Sequence, residues 1–267
     1  MDLGLRDGVA AVTGGSKGMG RAVAEAFADE GARVAILARG RDALDETVAV
    51  LRERGAPDAL GLSVDLTDPP AIDAAFAAIG ERWGAVNSLV NTVGPGDGYF
   101  ETLDDAGWHA AMELGLMAAV RCTRAALPLL RAAEWGRVVN FAAHSIQRQN
   151  PRIVAYTASK AALASVSKNL AKSLAADGIL VNTISPGTIV TASFTEVLHP
   201  ILAAEGLDSS DPVDVMRWIE NNFHQPCDLR RAGLPEEVAS ITVYLASRRN
   251  GYVTGANVNV DGGSDFV

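Results

Sequence analysis

Near its beginning the chain reads Val-Ala-Ala-Val-Thr-Gly-Gly-Ser-Lys-Gly-Met-Gly from Val9 to Gly20. The first five residues form a short apolar run that is typical of a buried parallel strand, and glycines end it. Apolar side chains then recur at helical spacing over residues 21–30, and Gly31 suits the position after a helix. A glycine-rich turn in this context lets the backbone approach a pyrophosphate, which the start of the helix attracts. The stretch therefore predicts a dinucleotide-binding loop.

Strand-like and helix-like segments alternate along almost the entire chain. Such alternation produces a parallel sheet whose two faces are covered by helices. We predict one α/β domain over residues 1–267, a Rossmann-type doubly wound parallel sheet of about seven strands with helices on both faces. Strands are predicted at residues 9–13, 33–38, 59–64, 88–91, 137–141, 180–184 and 257–260, and helices at 21–30, 41–54, 69–83, 104–131, 153–176 and 235–246.

The stretch from Thr188 to Arg231 breaks this alternation and is predicted to form a substrate lid or side lobe at about residues 188–231. Apolar side chains at roughly helical spacing are more often core or subunit contacts than pocket walls. A lid this apolar nonetheless favours a bulky hydrophobic ketone or alcohol over a sugar. The apolar side chains in question are Phe194, Leu198, Ile201, Leu202, Met216, Trp218 and Phe223.

Composition narrows the function classes. With 48% hydrophobic and 21% charged residues the chain fits a globular protein, and the net charge of −9 disfavours nucleic acid as a partner. It has no apolar run of membrane-spanning length, and its start lacks the basic and apolar regions of a signal peptide, so we expect a cytoplasmic protein without a membrane partner. Two cysteines are too few for a disulfide framework, and the histidines lack the spacing of a metal site.

The end of the second predicted strand indicates which dinucleotide is bound. NAD sites usually place an acidic residue there, about 20 residues past the loop, to bond the ribose hydroxyls. Here Ala38 occupies that place and Arg39 follows it, while Lys17 adds a second cation inside the loop. A guanidinium can bond a 2′-phosphate through two donors, whereas a carboxylate would repel it. We therefore predict NADP(H) as the cofactor in preference to NAD(H).

Three motifs occur in a characteristic order: the glycine loop, Tyr156-Thr157-Ala158-Ser159-Lys160, and Ser185-Pro186-Gly187. With them the chain resembles the short-chain dehydrogenase/reductase family, in the manner of its 3-oxoacyl-ACP reductase-like and hydroxysteroid dehydrogenase-like members. The resemblance runs from about Leu5 to Gly263 and implies oxidoreductase activity on C=O and CH–OH groups. It implies cofactor contacts from Gly14, Ser16, Lys17, Gly18, Met19, Gly20, Arg39, Asp65, Leu66, Asn91, Gly94, Tyr156, Lys160, Pro186, Gly187, Ile189 and Thr191.

The pair Tyr156 and Lys160 can be interpreted chemically. Residues four apart lie on one face of a helix. A phenol with an ordinary pKa near 10 is a weak acid–base group at neutral pH unless its anion is stabilised, and an ammonium one turn away does this. Tyr156 could therefore exchange a proton with a carbonyl or alcohol, while Lys160 also holds the nicotinamide ribose.

Two expected polar residues of the family pattern are missing. Ala143 stands thirteen residues before the tyrosine, where the family has a serine that binds the substrate oxygen. Gly115 stands where the family has an asparagine that supports a water relay to the lysine. A glycine there could still let the helix bend and a water fill the space.

Three interpretations of the missing serine remain open. Ser145 takes over its role if residue 143 begins a strand extension, since residues i and i+2 then point to one side. Alternatively, His144 donates the hydrogen bond. In the third, Tyr156 and Lys160 act alone or turnover is weak or absent. Residues 147–150 form a polar loop nearby; a solvated loop is expected, and the alternative is that Arg148 or a glutamine recognises a polar end of the substrate.

The resulting hypothesis is an NADP(H)-dependent oxidoreductase that interconverts a ketone and a secondary alcohol on a fairly hydrophobic small molecule. The second hypothesis is an NADP(H)-binding member with little or no turnover that acts as a sensor or subunit partner. Members of the family commonly form tetramers through their two longest helices and the C-terminal segment. We therefore also expect a homo-oligomer, a tetramer or a dimer.

Overall fold

A computed structural model describes residues 2–96 and 98–264. Over these residues, seven parallel strands form one sheet in the order β3-β2-β1-β4-β5-β6-β7, which confirms the predicted Rossmann-type sheet. The strands are β1 (Val9–Thr13), β2 (Arg33–Ala38), β3 (Ala59–Ser63), β4 (Ser88–Asn91), β5 (Gly136–Phe141), β6 (Ile179–Pro186) and β7 (Asn257–Val260).

Helices cover both faces of the sheet, in keeping with the near-continuous apolar runs of its central strands. They are α1 (Gly18–Asp29), α2 (Arg41–Glu53), α3 (Pro69–Trp83), α4 (Asp105–Met112), α5 (Ala118–Ala132), α6 (Val154–Ser173), α7 (Ala192–Ala204), α8 (Pro212–Phe223) and α9 (Pro235–Leu245). On one face α1 and α9 pack together around Phe27 and Val243, and on the other α3 and α5 pack around Phe76 and Ala126.

The strand order reverses beside β1, which pairs with β2 on one side and with β4 on the other. Thr13 and Asn91 are register partners at the carboxyl ends of β1 and β4. Ligands of doubly wound sheets bind in the crevice outside the carboxyl ends of the strands at such a reversal. The topology therefore places the glycine loop and the residues after β4 around one crevice.

The segment predicted as one helix over residues 104–131 differs in detail. Helices α4 and α5 are joined by a π-helical turn, Glu113–Met117, centred on Gly115. A single helix with regular spacing was therefore the wrong prediction for its middle. A π turn widens the helix locally, and such turns are frequent at functional sites.

The predicted lid contains two helices, α7 and α8, with a small core of their own. Trp218 and Phe223 meet edge to face at 5.4 Å between ring centroids. Most of the apolar lid residues that suggested a hydrophobic substrate are thus buried against one another, because two short helices need a shared core. Ile201 is the exception among those seven, at 44% exposed. The lid core comprises Leu198, Leu202, Val215, Met216, Trp218, Ile219, Cys227 and Ala232, with Phe194 and Phe223 packed against it.

Candidate active site

The glycine loop makes a tight connection between β1 and α1. Gly14 and Gly18 adopt positive φ angles of 69° and 53°, where a side chain would be strained. Thr92, just after β4, donates from its hydroxyl to the Thr13 carbonyl at 2.6 Å, and a Cβ on Gly14 would come within 2.7 Å of the same hydroxyl oxygen. The loop therefore lies against the segment after β4, and α1 begins where a phosphate would meet its first N–H groups.

A cavity of about 810 Å³ opens beside this loop. Its wall includes the predicted residues Gly14, Ser16, Lys17, Arg39, Asp65, Leu66 and Gly94. Two exposed cations line the cavity, Lys17 before α1 and Arg39 after β2, and sequence reasoning missed a third, Arg41, at the start of α2. The sequence Arg39-Gly40-Arg41 could have indicated this third cation, because a residue at that bend faces the same crevice. The donor set and the close backbone turn fit a dinucleotide with an additional phosphate on its adenosine ribose.

Asp65 lines the same cavity, just after β3, beside the strand that leads to Arg39. Its carboxylate accepts hydrogen bonds from the backbone N–H and the hydroxyl of Thr67, at 2.9 Å and 2.8 Å. The backbone hydrogen bond from Thr67 is the main reason why the pKa of Asp65 is lowered, and the charge of Arg39 adds to it. The carboxylate is thus held ionised and oriented by its own turn.

Asn91, predicted as a cofactor contact, is buried in a polar network beneath the crevice. It donates to Asn140 at 2.8 Å, and Asn140 donates to Ser167 at 2.9 Å. This chain of bonds joins β4, β5 and α6. The side chain of Asn91 therefore holds the strands that carry the site in register, while Val93 and Gly94 supply the cavity wall.

Tyr156 and Lys160 come together on α6, as the spacing predicted. The Lys160 ammonium nitrogen lies 6.0 Å from the centre of the Tyr156 ring, and a Cβ on Gly94 would lie 3.3 Å from that ring. The side chain of Lys160 is 1% exposed and donates to the carbonyls of Val93 and Phe141 at 2.8 Å and 2.7 Å. Burial lowers the pKa of Lys160 to about 7.

Residues 144–146 form a short 3-10 helix rather than the strand extension that was expected. The argument that Ser145 must point to the same side as residue 143 was therefore wrong, because the extended backbone ends at Ala143. Ser145 is instead buried against the first turn of α6, with its hydroxyl 3.0 Å from that of Thr157. It thus lies beside the neighbour of Tyr156.

His144 reaches the end of β6. Its Nδ1 lies 3.2 Å from the Pro186 carbonyl oxygen, which can only accept, so Nδ1 carries the proton. Burial is the main cause that lowers the pKa of His144, and the nearby side chain of Gln225 opposes this in part. In the neutral ring Nε2 is then an acceptor. The hypothesis that His144 donates to a substrate carbonyl conflicts with this tautomer.

The segment after β6 closes the crevice from the other side. Thr191 caps α7 by accepting from the Phe194 N–H at 3.3 Å, and its methyl group would lie 3.5 Å from a Cβ on Gly18. Ile189 pairs with Gly233 in an isolated bridge. Among the predicted contacts, Thr191 is thus set against the glycine loop, while Pro186, Gly187 and Ile189 continue from the end of β6.

Comparison with known proteins identifies the family that shares this geometry. Residues 14–265 match the family model described as enoyl-(acyl carrier protein) reductase. The short-chain reductase protein NovJ of Streptomyces niveus is 33% identical over 97% of this chain and 94% of its own length. The chain belongs to the short-chain dehydrogenase/reductase family.

Solved structures of family members agree closely. The L-sorbose reductase of Gluconobacter frateurii, complexed with NADPH and L-sorbose, superposes with a TM-score of 0.92 at 32% identity, covering 100% of both chains. A single-substitution variant of the actinorhodin polyketide ketoreductase with NADPH gives a TM-score of 0.86 at 32% identity, covering 98% of each chain. The predicted class, an NADP(H)-linked short-chain oxidoreductase, is confirmed by these relatives.

Proposed function

We propose that this family member interconverts a ketone and a secondary alcohol with NADP(H), using Tyr156 as the acid–base group. The observation that carries the proposal is the meeting of Tyr156 and the buried Lys160 beside Gly94, at the end of the crevice that begins at the glycine loop. Bound NADPH would supply the hydride that reduces the carbonyl carbon.

Residues of the chain then transfer the proton and stabilise the charge that it leaves. The Tyr156 hydroxyl donates a proton to the carbonyl oxygen during reduction and takes one back during oxidation. The Lys160 ammonium stabilises the phenolate that remains, and the carbonyls of Val93 and Phe141 hold that ammonium in place. Lys17, Arg39 and Arg41 favour the phosphorylated dinucleotide.

We propose Ser145 as the donor of a second hydrogen bond to the substrate oxygen. Its hydroxyl can accept from Thr157 and still donate its own hydrogen, whereas the neutral ring of His144 keeps its one N–H for Pro186. His144 instead forms part of the wall beside Ser145, with its ring held by the Pro186 carbonyl.

A fairly hydrophobic substrate remains our proposal for the substrate class. The lid core no longer supports it, but two exposed apolar side chains do. Phe100 is 69% exposed and Tyr99 44%, beside the bridge between Gly98 and Ile153 that precedes Tyr156 in α6. Exposed apolar side chains next to the start of α6, the helix that carries Tyr156, favour a ketone with a hydrocarbon body.

NADPH oxidation with a ketone panel tests the proposal. Ethyl acetoacetate, acetophenone and L-sorbose cover a keto ester, an aryl ketone and a polyhydroxy ketone. We expect turnover on the first two, and Tyr156→Phe to lower kcat by roughly 10²–10⁴-fold. Tyr252→Phe is the matched control, because Tyr252 is 99% exposed. Equal kcat in Tyr156→Phe and wild type would refute the mechanism, and NADPH binding without turnover on any ketone would favour the sensor hypothesis.

A further inference from the structure

Phe223, His224 and Pro226, at the end of the lid, are held by the loop that leads from β5 to α6. Phe223 lies under the guanidinium of Arg152, at 4.5 Å from its ring centre. The carbonyls of residues 224 and 226 accept from Arg148, and the side chain of Gln225 is close enough to His144 to influence its pKa. The exit of the lid, residues 223–226, therefore runs along the segment that carries the residues before Tyr156.

Arg148 makes the largest share of these bonds. Its guanidinium donates to the carbonyls of His224 at 2.9 Å, Pro226 at 3.4 Å and Ser264 at 2.8 Å. The first two belong to the lid exit and the third to the segment after β7. A planar fork of donors can join carbonyls from two separate segments, which the compact ammonium of a lysine cannot do in the same geometry. The alternative that Arg148 recognises the substrate is thus disfavoured, since its donors are directed to the backbone.

The lid exit needs such support because its backbone is held in an uncommon conformation. His224 ends α8 with a φ of 53°, in the left-handed region. Residues other than glycine persist there only where the surrounding contacts hold them. Here the carbonyl of His224 itself is one of the groups that Arg148 binds.

Gln225 connects the position of the lid exit to the active site. This residue follows the left-handed His224, and its side chain interacts with His144, whose Nδ1 lies 3.2 Å from the Pro186 carbonyl oxygen. His144 is the immediate neighbour of both Ala143 and Ser145. A shift of residues 224–226 would therefore move the wall beside the proposed oxygen-binding residue, while the glycine loop and Arg39 lie on other elements.

We infer that Arg148 is a positioning residue, which fixes the lid exit so that Gln225 and His144 form one wall of the substrate site. The inference rests on the proposed function, in that the substrate binds between Tyr156 and the lid. It predicts that losing the guanidinium weakens substrate binding much more than it affects the chemical step or the affinity for NADPH.

The kinetic experiment compares Arg148→Ala, Arg148→Lys and the control Arg124→Ala with wild type. Arg124 is an exposed arginine of α5, away from the lid. With ethyl acetoacetate we expect KM to rise about tenfold or more in Arg148→Ala and to a smaller extent in Arg148→Lys, with kcat within about threefold and NADPH affinity unchanged. Added guanidinium chloride at millimolar concentration should lower the KM of Arg148→Ala alone. An unchanged KM in both Arg148 variants, or equal losses in kcat and KM without rescue, would overturn the inference.

A second measurement does not depend on turnover. Hydrogen exchange of backbone amides at residues 223–227 should accelerate in Arg148→Ala and remain at the wild-type rate in Arg124→Ala. Unchanged exchange there would overturn the inference even if the enzyme were active. Accelerated exchange in a chain that turns over none of the ketones would leave Arg148 as the holder of the lid and refute the proposed function instead. If Arg148→Ala fails to fold, Arg148→Lys serves both measurements.

Discussion

Gly115 in the π turn and Ser159 on α6 lie so close that a side chain at Gly115 would displace its neighbour. A Cβ built on Gly115 would fall 2.7 Å from the Cβ of Ser159 and still closer to its hydroxyl. Ser159 is fully buried and donates its hydroxyl to the Tyr156 carbonyl at 2.8 Å. An asparagine at residue 115 would therefore not fit without moving α6, because Ser159 occupies the space that its side chain would enter.

Restoring a side chain at residue 115 should harm the protein. Gly115→Ala and Gly115→Asn are expected to lower the free energy of unfolding by about 1–3 kcal/mol, because overpacking forces the helices apart. Neither variant should raise kcat. Thermal and urea unfolding give the stability, and Ser159→Gly combined with Gly115→Ala should show a favourable coupling energy.

Gly80→Ala is the control for this series. Gly80 also lies within a helix, α3, but its Cβ would meet only the flexible end of Leu129, at 3.0 Å. The free energy of unfolding of Gly80→Ala should change by less than about 1 kcal/mol. A Gly115→Asn variant that is as stable as wild type and more active would show that the helices can part and that the relay can be rebuilt.

Arg39 and Arg41 should determine the choice of dinucleotide. Arg39→Ala should weaken NADPH binding by about ten- to a hundredfold through loss of a charge-assisted phosphate bond, and NADH binding much less. Arg41→Ala should have a smaller effect of the same sign, and Arg39→Asp should reverse the preference. Fluorescence titrations with both dinucleotides give the ratio, with Arg124→Ala as the unaffected reference. A preference for NADPH that survives both alanine changes would place the phosphate elsewhere.

Lys160 should make the stability of the cofactor-free protein depend on pH. Its pKa is lowered to about 7 by burial, whereas an unfolded lysine has a pKa of about 10.5. Between these values the unfolded state binds more protons, so this group's contribution to stability rises with pH. The stability of wild type relative to Lys160→Met should therefore increase from pH 7 to pH 9, by up to roughly 1 kcal/mol per pH unit.

Urea unfolding of both proteins at several pH values measures this difference. Lys172→Met is the control, since Lys172 lies exposed at the end of α6. A difference that falls as the pH rises would mean that Lys160 is held charged more firmly than in water, with its ammonium favoured by the two carbonyls that it bonds.

The role of Ser145 can be tested separately from that of its partner Thr157. Ser145→Ala should lower kcat by about ten- to a hundredfold if the hydroxyl binds the substrate oxygen, with NADPH affinity unchanged. Thr157→Val removes the bond to Ser145 and leaves that hydroxyl in place, so a smaller loss is expected. Equal losses in the two variants would show that the pair only supports the first turn of α6. His144→Phe, by comparison, should raise KM more than it lowers kcat.

The strands of the sheet and the location of the crevice could be predicted from the sequence. Apolar runs that end at glycines, and helical spacing between them, are local properties set by backbone sterics and burial. For this reason the Val9–Thr13 strand, the glycine loop and the Tyr156–Lys160 pair could all be located without the structure. The preference for NADP(H) could likewise be predicted, because Ala38 and Arg39 stand where an NAD site would have an acidic residue.

The partners of these residues came only from the tertiary structure. Lys160 bonds carbonyls 67 and 19 positions away, and Arg148 reaches carbonyls 76, 78 and 116 positions away. Backbone carbonyls carry no sequence signal, because every residue has one. The glycine loop thus follows from sequence alone, whereas the fit of Gly115 against Ser159 and the hold of Arg148 on the lid depend on how separate helices pack.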